Sequence, residues 1–214
     1  MQVLVIGSTR GTGRLLVDRL VADGHEVRAM IRDPQQADDR RAAGATPVLG
    51  DLEGDLEDAM RGVDAVAFCA GSGSSTGPDA TLRVDLLGAI RTVDLAVQLG
   101  IGRYVMLSSM AADDPLRGSE AIRHYLAAKH AADRILLASG LDATVVRPGG
   151  LTHDDPTGRV EVGVPRLERR GSIPRADVAA VMARCLADPA SIGASFELLG
   201  GDTPIDEAVA ALRR

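Results

Sequence analysis

Tyr125 and Lys129 stand four residues apart in Y-L-A-A-K, within a stretch that carries a helical pattern. Residues at i and i+4 share a helix face, so phenol and ammonium are expected side by side. A neighbouring ammonium favours the phenolate and is expected to lower the tyrosine pKa from about 10 towards neutrality. A phenol tuned in that way can exchange a proton with a carbonyl or hydroxyl oxygen. Ser108 and Ser109 end a β-like run upstream. A hydroxyl there, Ser109 in preference to its neighbour, could hydrogen-bond the same substrate oxygen. The spacing alone is a common accident, since an amphipathic helix with a packed tyrosine and an exposed lysine carries the same letters.

The chain opens with M-Q-V-L-V-I-G-S-T-R-G-T-G, an aliphatic run that ends in Gly7, Gly11 and Gly13, followed by a helical pattern through Leu15, Leu16 and Leu20. A strand, a tight glycine turn and a helix start turn an otherwise weak motif into an expected dinucleotide site, against the alternative of an ordinary glycine-rich turn. Gly7 permits the sharp exit from the strand, Gly11 leaves room for a pyrophosphate, and Gly13 lets helix and strand pack closely. The helix N-terminus then offers free N–H groups and a positive dipole end to the phosphates. The second β-like run, E-V-R-A-M-I, ends in Arg32, where a site for NAD usually carries an acid for the ribose 2′-hydroxyl. Arg32, with Arg10 inside the glycine turn, suits a 2′-phosphate and favours NADPH over NADH. Asp33 keeps NAD open but reads better as the cap of a helix with Pro34 at its first position. Asp51, in G-D-L after the third run, could accept a hydrogen bond from an adenine amino group. Ala70 and Gly71 follow the fourth run and are small enough for a ribose to lie against the backbone.

The elements that must hold these groups alternate. Strands are expected at 2–6, 26–31, 46–49, 65–69, 104–107, 143–146 and 195–198, with helices starting at Gly11, Pro34, Asp55, Asp79, Ser119, Arg175 and Asp206. Gly100 and Gly140 read as glycines just past helix ends. Strands alternating with helices imply right-handed crossovers and a parallel sheet. The expectation is a single α/β domain over 1–214, a Rossmann-like doubly wound parallel sheet of about seven strands with helices on both faces. The rhythm breaks only at 149–174, rich in Gly, Pro and charge, which is the expected substrate-side segment.

With 214 residues and 45% apolar content, the chain can bury one sizeable core. A net charge of −6 argues against a nucleic-acid surface. No apolar run is long enough to span a bilayer, and no basic n-region and h-region precede the first strand, so a cytoplasmic location is expected. Cys69 and Cys185 lie far apart in apolar contexts and read as reduced, packed thiols. His124 and His130 fall on other faces of the helix than Tyr125 and read as surface histidines. His153, with Asp154 and Asp155, lines a pocket or a solvated loop, and no metal site is supported. Arg166, Arg169 and Arg170 could meet an anion but read better as a solvated charge run. The helices at 79–99 and 119–139 could pair in a homodimer or stay solvated in a monomer.

Taken together, V-L-V-I-G-S-T-R-G-T-G, V-R-A-M-I-R-D-P, L-G-D-L, V-M-L-S-S-M, Y-L-A-A-K-H-A-A-D, S-G-L-D-A-T-V-V-R-P-G-G-L and R-A-D-V-A resemble the short-chain dehydrogenase/reductase superfamily over nearly the whole chain. The likeness is to its atypical single-domain NAD(P)H-binding members, the NmrA-like, flavin-reductase-like and sugar-epimerase-like proteins. The resemblance implies cofactor contacts from Thr9, Thr12, Arg32, Asp51, Leu52 and Ala70. It also implies an Arg147-Pro148-Gly149 turn against the nicotinamide side and Asp177 as the acid that starts the closing helix. Ser108, Tyr125, Lys129, Pro148 and Gly149 join the expected cofactor contacts. One departure is the turn itself, G-x-x-x-G-x-G instead of G-x-x-G-x-x-G, which is similar to the turn of NADP-dependent ketoacyl reductases. The expected function is an NADPH-dependent oxidoreductase acting on a small carbonyl, quinone or related acceptor, with Ser109, Tyr125 and Lys129 catalytic. The alternatives are an NAD(P)-dependent sugar epimerase or dehydratase-like enzyme and a non-catalytic NADP(H) sensor.

Overall fold

Strand β1 (Gln2–Ile6) sets the plan of the molecule, because Val3, Leu4, Val5 and Ile6 are all inaccessible to solvent. A strand covered on both faces reads as a continuous apolar run, not an alternating one. The two-residue period then deals its side chains to two cores. Val3 and Val5 pack with Leu16, Leu20, Val178 and Met182, while Leu4 and Ile6 pack with Phe68, Tyr104, Val93 and Leu136. Helices α1 (Gly11–Ala22), α7 (Arg175–Ala187) and α8 (Ile205–Ala210) therefore cover one face. Helices α3 (Glu57–Met60), α5 (Ala89–Leu99) and α6 (Arg123–Ala138) cover the other. This is a computed structural model, and it describes residues 1–73 and 76–212.

The remaining elements are β2 (Glu26–Ile31), α2 (Ala37–Ala42), β3 (Thr46–Leu49), β4 (Ala65–Phe68), α4 (Pro78–Ala80), β5 (Arg103–Leu107), β6 (Asp142–Pro148), β7 (Gly150–Thr152), β8 (Arg159–Gly163), β9 (Ser172–Pro174), β10 (Ser195–Gly200) and β11 (Thr203–Pro204). Among the described residues the main sheet has nine strands in the order β11-β8-β10-β6-β5-β4-β1-β2-β3. The chain runs outward from β1 to β3 on one side and restarts at β4 on the other. That reversal opens a crevice at the carboxyl ends of β1 and β4, the usual ligand position in an open α/β sheet.

Several expectations need correction. The sheet has nine strands, not about seven, and its far end is antiparallel, with β8 against both β10 and β11. R-V-E-V-G does alternate polar and apolar residues, but the surrounding glycine, proline and charge mask a five-residue pattern. The segment 149–174 is thus folded, with β7 and β9 forming a separate parallel pair. The helix expected from Asp79 runs through 78–99 but contains a π-helical stretch, Thr81–Gly88. Those expected from Pro34, Asp55 and Ser119 shorten or begin as 3₁₀ turns (Pro34–Gln36, Glu120–Ile122). Asp33 does cap the first of these, its carboxylate accepting from the Gln35 N–H at 2.9 Å.

Candidate cofactor and catalytic site

The glycine turn is built from both sides. Gly7, at φ +85°, lies so close to the chain after β4 that a Cβ there would stand 2.6 Å from the Ala70 nitrogen. A Cβ on Gly13 would stand 2.1 Å from the Gly7 carbonyl oxygen. Gly11, at φ +52°, faces open space instead, with only the Arg175 side chain within 4 Å of a Cβ placed there. Behind the turn, the buried Ser8 hydroxyl donates to Met30 O at 2.7 Å, and the buried Arg40 donates to Ser8 O at 3.1 Å. Both residues escaped sequence reasoning, because their partners come from distant segments.

The mouth of this turn suits an anion. Helix α1 has Arg10 as its N-cap, no capping side chain and no acid in its first turn. Its first backbone hydrogen bond is from Arg14 to Arg10 O at 3.2 Å, so Gly11, Thr12 and Gly13 keep free N–H groups among the described bonds. The Thr12 hydroxyl is buried without a partner. A positive helix end flanked by arginines, with an orphaned hydroxyl beside it, is an unfavourable arrangement that a bound phosphate repairs. Thr9 is half-buried in the same turn.

A cleft of about 490 Å³ is lined by Arg32, Leu49, Gly50, Asp51, Asp55 and Asp58. Arg32 is exposed at the end of β2. Asp51 spends one carboxylate oxygen on the Glu53 N–H at 3.0 Å. Leu52 is buried and packs against Gly88 of the π-helical stretch. Gly71 is exposed, and a Cβ on it would stand 3.3 Å from the Asp85 carboxylate.

Ser109 in the loop after β5 lies near Tyr125, which shares α6 with Lys129. The Ser109 hydroxyl donates to the Met110 carbonyl at 3.3 Å and lies near enough to the Tyr125 phenol to ease its ionisation slightly. The Lys129 ammonium sits 6.0 Å from the Tyr125 ring centre and 5.6 Å from that of Phe68. It is buried, donates to Leu107 O at 2.9 Å and pairs with the Asp85 carboxylate at 3.5 Å. Asp85, supplied by the π-helical stretch, is fully buried and accepts from the Ser72 N–H at 3.0 Å. Burial pushes the Lys129 ammonium down, yet Tyr125, Asp85 and Asp133 together hold it above its ordinary value. The expected lowering of the Tyr125 pKa is corrected here. Burial pushes the phenol up, the pull of Lys129 offsets only part of this, and Tyr125 ends above 10.

Ser108 points elsewhere. Its buried hydroxyl donates to Asp133 at 2.9 Å, and Asp133 also accepts from Arg147 Nε at 2.9 Å. Pro148 is buried, its carbonyl accepting from the Met110 N–H at 2.8 Å. Gly149 is pressed against Leu199 and Gly171, leaving no room for a side chain. Glu197, fully buried on β10, accepts from the Ala111 N–H at 2.9 Å and the Leu167 N–H at 2.8 Å. It thereby ties the loop after Ser109 to the substrate-side segment. Ala111 holds φ +65°, a strained value for a residue with a Cβ, at the residue Glu197 pins.

Asp177 is buried at the start of α7 and accepts from the Thr157 and Gly158 N–H groups, both at 2.9 Å. The Arg166, Arg169 and Arg170 run is drawn into separate contacts with Asp113, Glu161 and the Arg117 carbonyl. His130 is half-buried and bonded to Ala112 O at 2.7 Å, which corrects its reading as a surface histidine. Burial pushes the Cys69 thiol up to about 12, although part of the residue is accessible. No helix among the described residues is long and apolar enough to cross a membrane.

Comparison with known proteins agrees with this fold. The profile of the NAD(P)H-binding family matches residues 7–189. YhfK of Bacillus subtilis, described as an uncharacterized sugar epimerase, is 44% identical over 99% of this chain and all of its own length. A solved chain from Bacillus halodurans, described provisionally as an NAD-dependent epimerase/dehydratase, superposes with a TM-score of 0.96 at 44% identity, covering 99% of both chains. The oxidoreductase ylbE from Lactococcus lactis superposes with a TM-score of 0.89 at 28% identity, over 99% of this chain and 96% of its own.

Proposed function

The chain belongs to the NAD(P)H-binding family, and on that premise we propose that it is an NADPH-dependent oxidoreductase of short-chain type, acting on a small carbonyl, quinone or related acceptor. The observation that carries the reading is the meeting of Ser109, Tyr125 and Lys129 beside the crevice that the glycine turn forms. Bound NADPH would supply the hydride. Gly7, Thr9, Arg10, Gly11, Thr12 and Gly13 would hold the diphosphate, and Arg10 and Arg32 the 2′-phosphate. Asp51, Leu52, Ala70 and Gly71 would border the adenosine half, and Pro148, Gly149 and the backbone of Ser108, whose hydroxyl is held by Asp133, the nicotinamide half.

Ser109 orients the acceptor oxygen and Tyr125 gives it a proton. The raised pKa of Tyr125 suits this direction, because a phenol that stays protonated through neutral pH is always ready to donate. Lys129 holds the cofactor ribose and steadies the phenolate left behind. Reduction is therefore expected to hold its rate through neutrality and to fall only on the alkaline side. The reverse oxidation needs the phenolate and is expected to rise with pH.

Titration with NADPH and NADH, followed by the emission of the reduced nicotinamide, tests the cofactor, since the chain has no Trp. Tighter binding of NADPH, reduced roughly ten- to a hundredfold by Arg32→Ala, is expected for a charged hydrogen-bond contact. Full activity in Tyr125→Phe on an identified acceptor would remove Tyr125 from its role. A second reading, an epimerase that uses its cofactor in both directions, is favoured by the descriptions of two close relatives. It is distinguished by stoichiometry, because a reductase consumes one NADPH per product and an epimerase consumes none.

A further inference from the structure

We propose that Arg175 is a diphosphate-binding residue, a second cationic wall that faces the N-terminus of α1; this rests on the dinucleotide reading above. Arg175 opens α7, directly after β9. Its Nη1 donates to the carbonyls of Leu151 and Thr152, both at 3.1 Å, which fixes the guanidinium from the side of β7. Its Nε stands 3.7 Å and its Cδ 3.9 Å from the position of a Cβ on Gly11. The side chain thus borders the turn with its Nε and Nη2 donors unspent among the described bonds, and no ion pair with a carboxylate is found for it among the described residues.

Charge makes the case stronger. A half-buried guanidinium without a counter-ion normally recruits an acid, and a helix N-terminus normally recruits one too. Here the two positive groups face each other, with Arg10 beside them and no acid in the first turn of α1. Asp177, the nearest acid along α7, spends both carboxylate oxygens on Thr157 and Gly158. Such an arrangement is self-repelling unless an anion with several oxygens lies between. A planar fork with two free donors fits adjacent phosphate oxygens better than a monovalent ion. The neighbouring buried Thr12 hydroxyl, also without a partner, supplies one more donor.

The test compares the wild-type protein with Arg175→Gln and Arg175→Lys by calorimetric titration with NADPH, ADP and adenosine 2′-monophosphate. ADP carries a diphosphate, whereas adenosine 2′-monophosphate reports only the adenosine end. Arg175→Gln is expected to weaken NADPH and ADP by roughly ten- to a hundredfold, the range for hydrogen bonds to a charged partner. It is expected to leave adenosine 2′-monophosphate unchanged, and Arg175→Lys is expected to recover part of the loss. Equal weakening of all three ligands would assign Arg175 to bracing β7, and no weakening of any would also overturn the proposal. If the wild type binds ADP but neither reduced dinucleotide, the reductase reading fails while the ADP series still decides Arg175. Wild type that binds none of the three would sink both.

Discussion

Replacing Lys129 with Met tests the buried ion pair without any knowledge of the substrate. The substitution keeps an unbranched side chain of similar length and removes the charge. Asp85 is then fully buried with the Ser72 N–H as its one hydrogen bond among the described residues, because its second oxygen has only the Lys129 ammonium opposite among them. Breaking a buried pair from one side costs about 3–5 kcal/mol, since the surviving charge stays uncompensated. For a domain of this size that corresponds to a fall in Tm of about 6–20 °C. The assay is urea and thermal unfolding of the ligand-free protein by circular dichroism. Asp85→Asn in the same background removes the stranded charge, and the double variant should lose less than the sum of the single losses by about 0.5–3 kcal/mol. Strict additivity would refute the view that Asp85 and Lys129 hold each other.

Other expectations follow from contacts already described. Gly13→Ala would drive a Cβ to 2.1 Å from the Gly7 carbonyl, so α1 must retreat from β1. An overpacking cost of about 1–3 kcal/mol is expected, together with weaker NADPH binding, and an unchanged Tm would show that the turn has slack. Burial holds the Cys185 thiol near 12 against an ordinary value of 9.0, and it also raises Tyr104. The folded state therefore keeps protons that the unfolded chain releases, and stability should fall as pH rises above about 9, by about 1.4 kcal/mol per pH unit for each such group. Urea midpoints that are equal at pH 8 and pH 10.5 would contradict this.

The strand, glycine turn and helix were legible because each is local, and so was the pairing of Tyr125 with Lys129, since an i,i+4 spacing needs only one helix. The direction of the Tyr125 shift was not legible, because burial depends on everything packed over the phenol and not on its neighbour four residues on. Glu197 serves Ala111 from 86 residues away and Arg40 serves Ser8 from 32, distances at which no periodic pattern carries information. A signal existed for one of them. Glu197 lies in S-F-E-L-L, a lone acid among residues destined for the interior. A charge kept in such a place needs a partner. The strands in 149–174 were hidden because their alternation lasts too few residues to stand out from the glycines and prolines around them.

The order of the main sheet leaves two strands at its rims, β3 and β11, and each contains a proline, Pro47 and Pro204. A proline has no N–H, so each rim lacks a donor that an incoming strand would need. Seven interior strands of dense aliphatic sequence would be a hazard if either border could extend onto a neighbouring molecule. The two prolines blunt both borders against aggregation. Any stable association between copies of this chain is thereby steered away from sheet extension and onto its helical flanks.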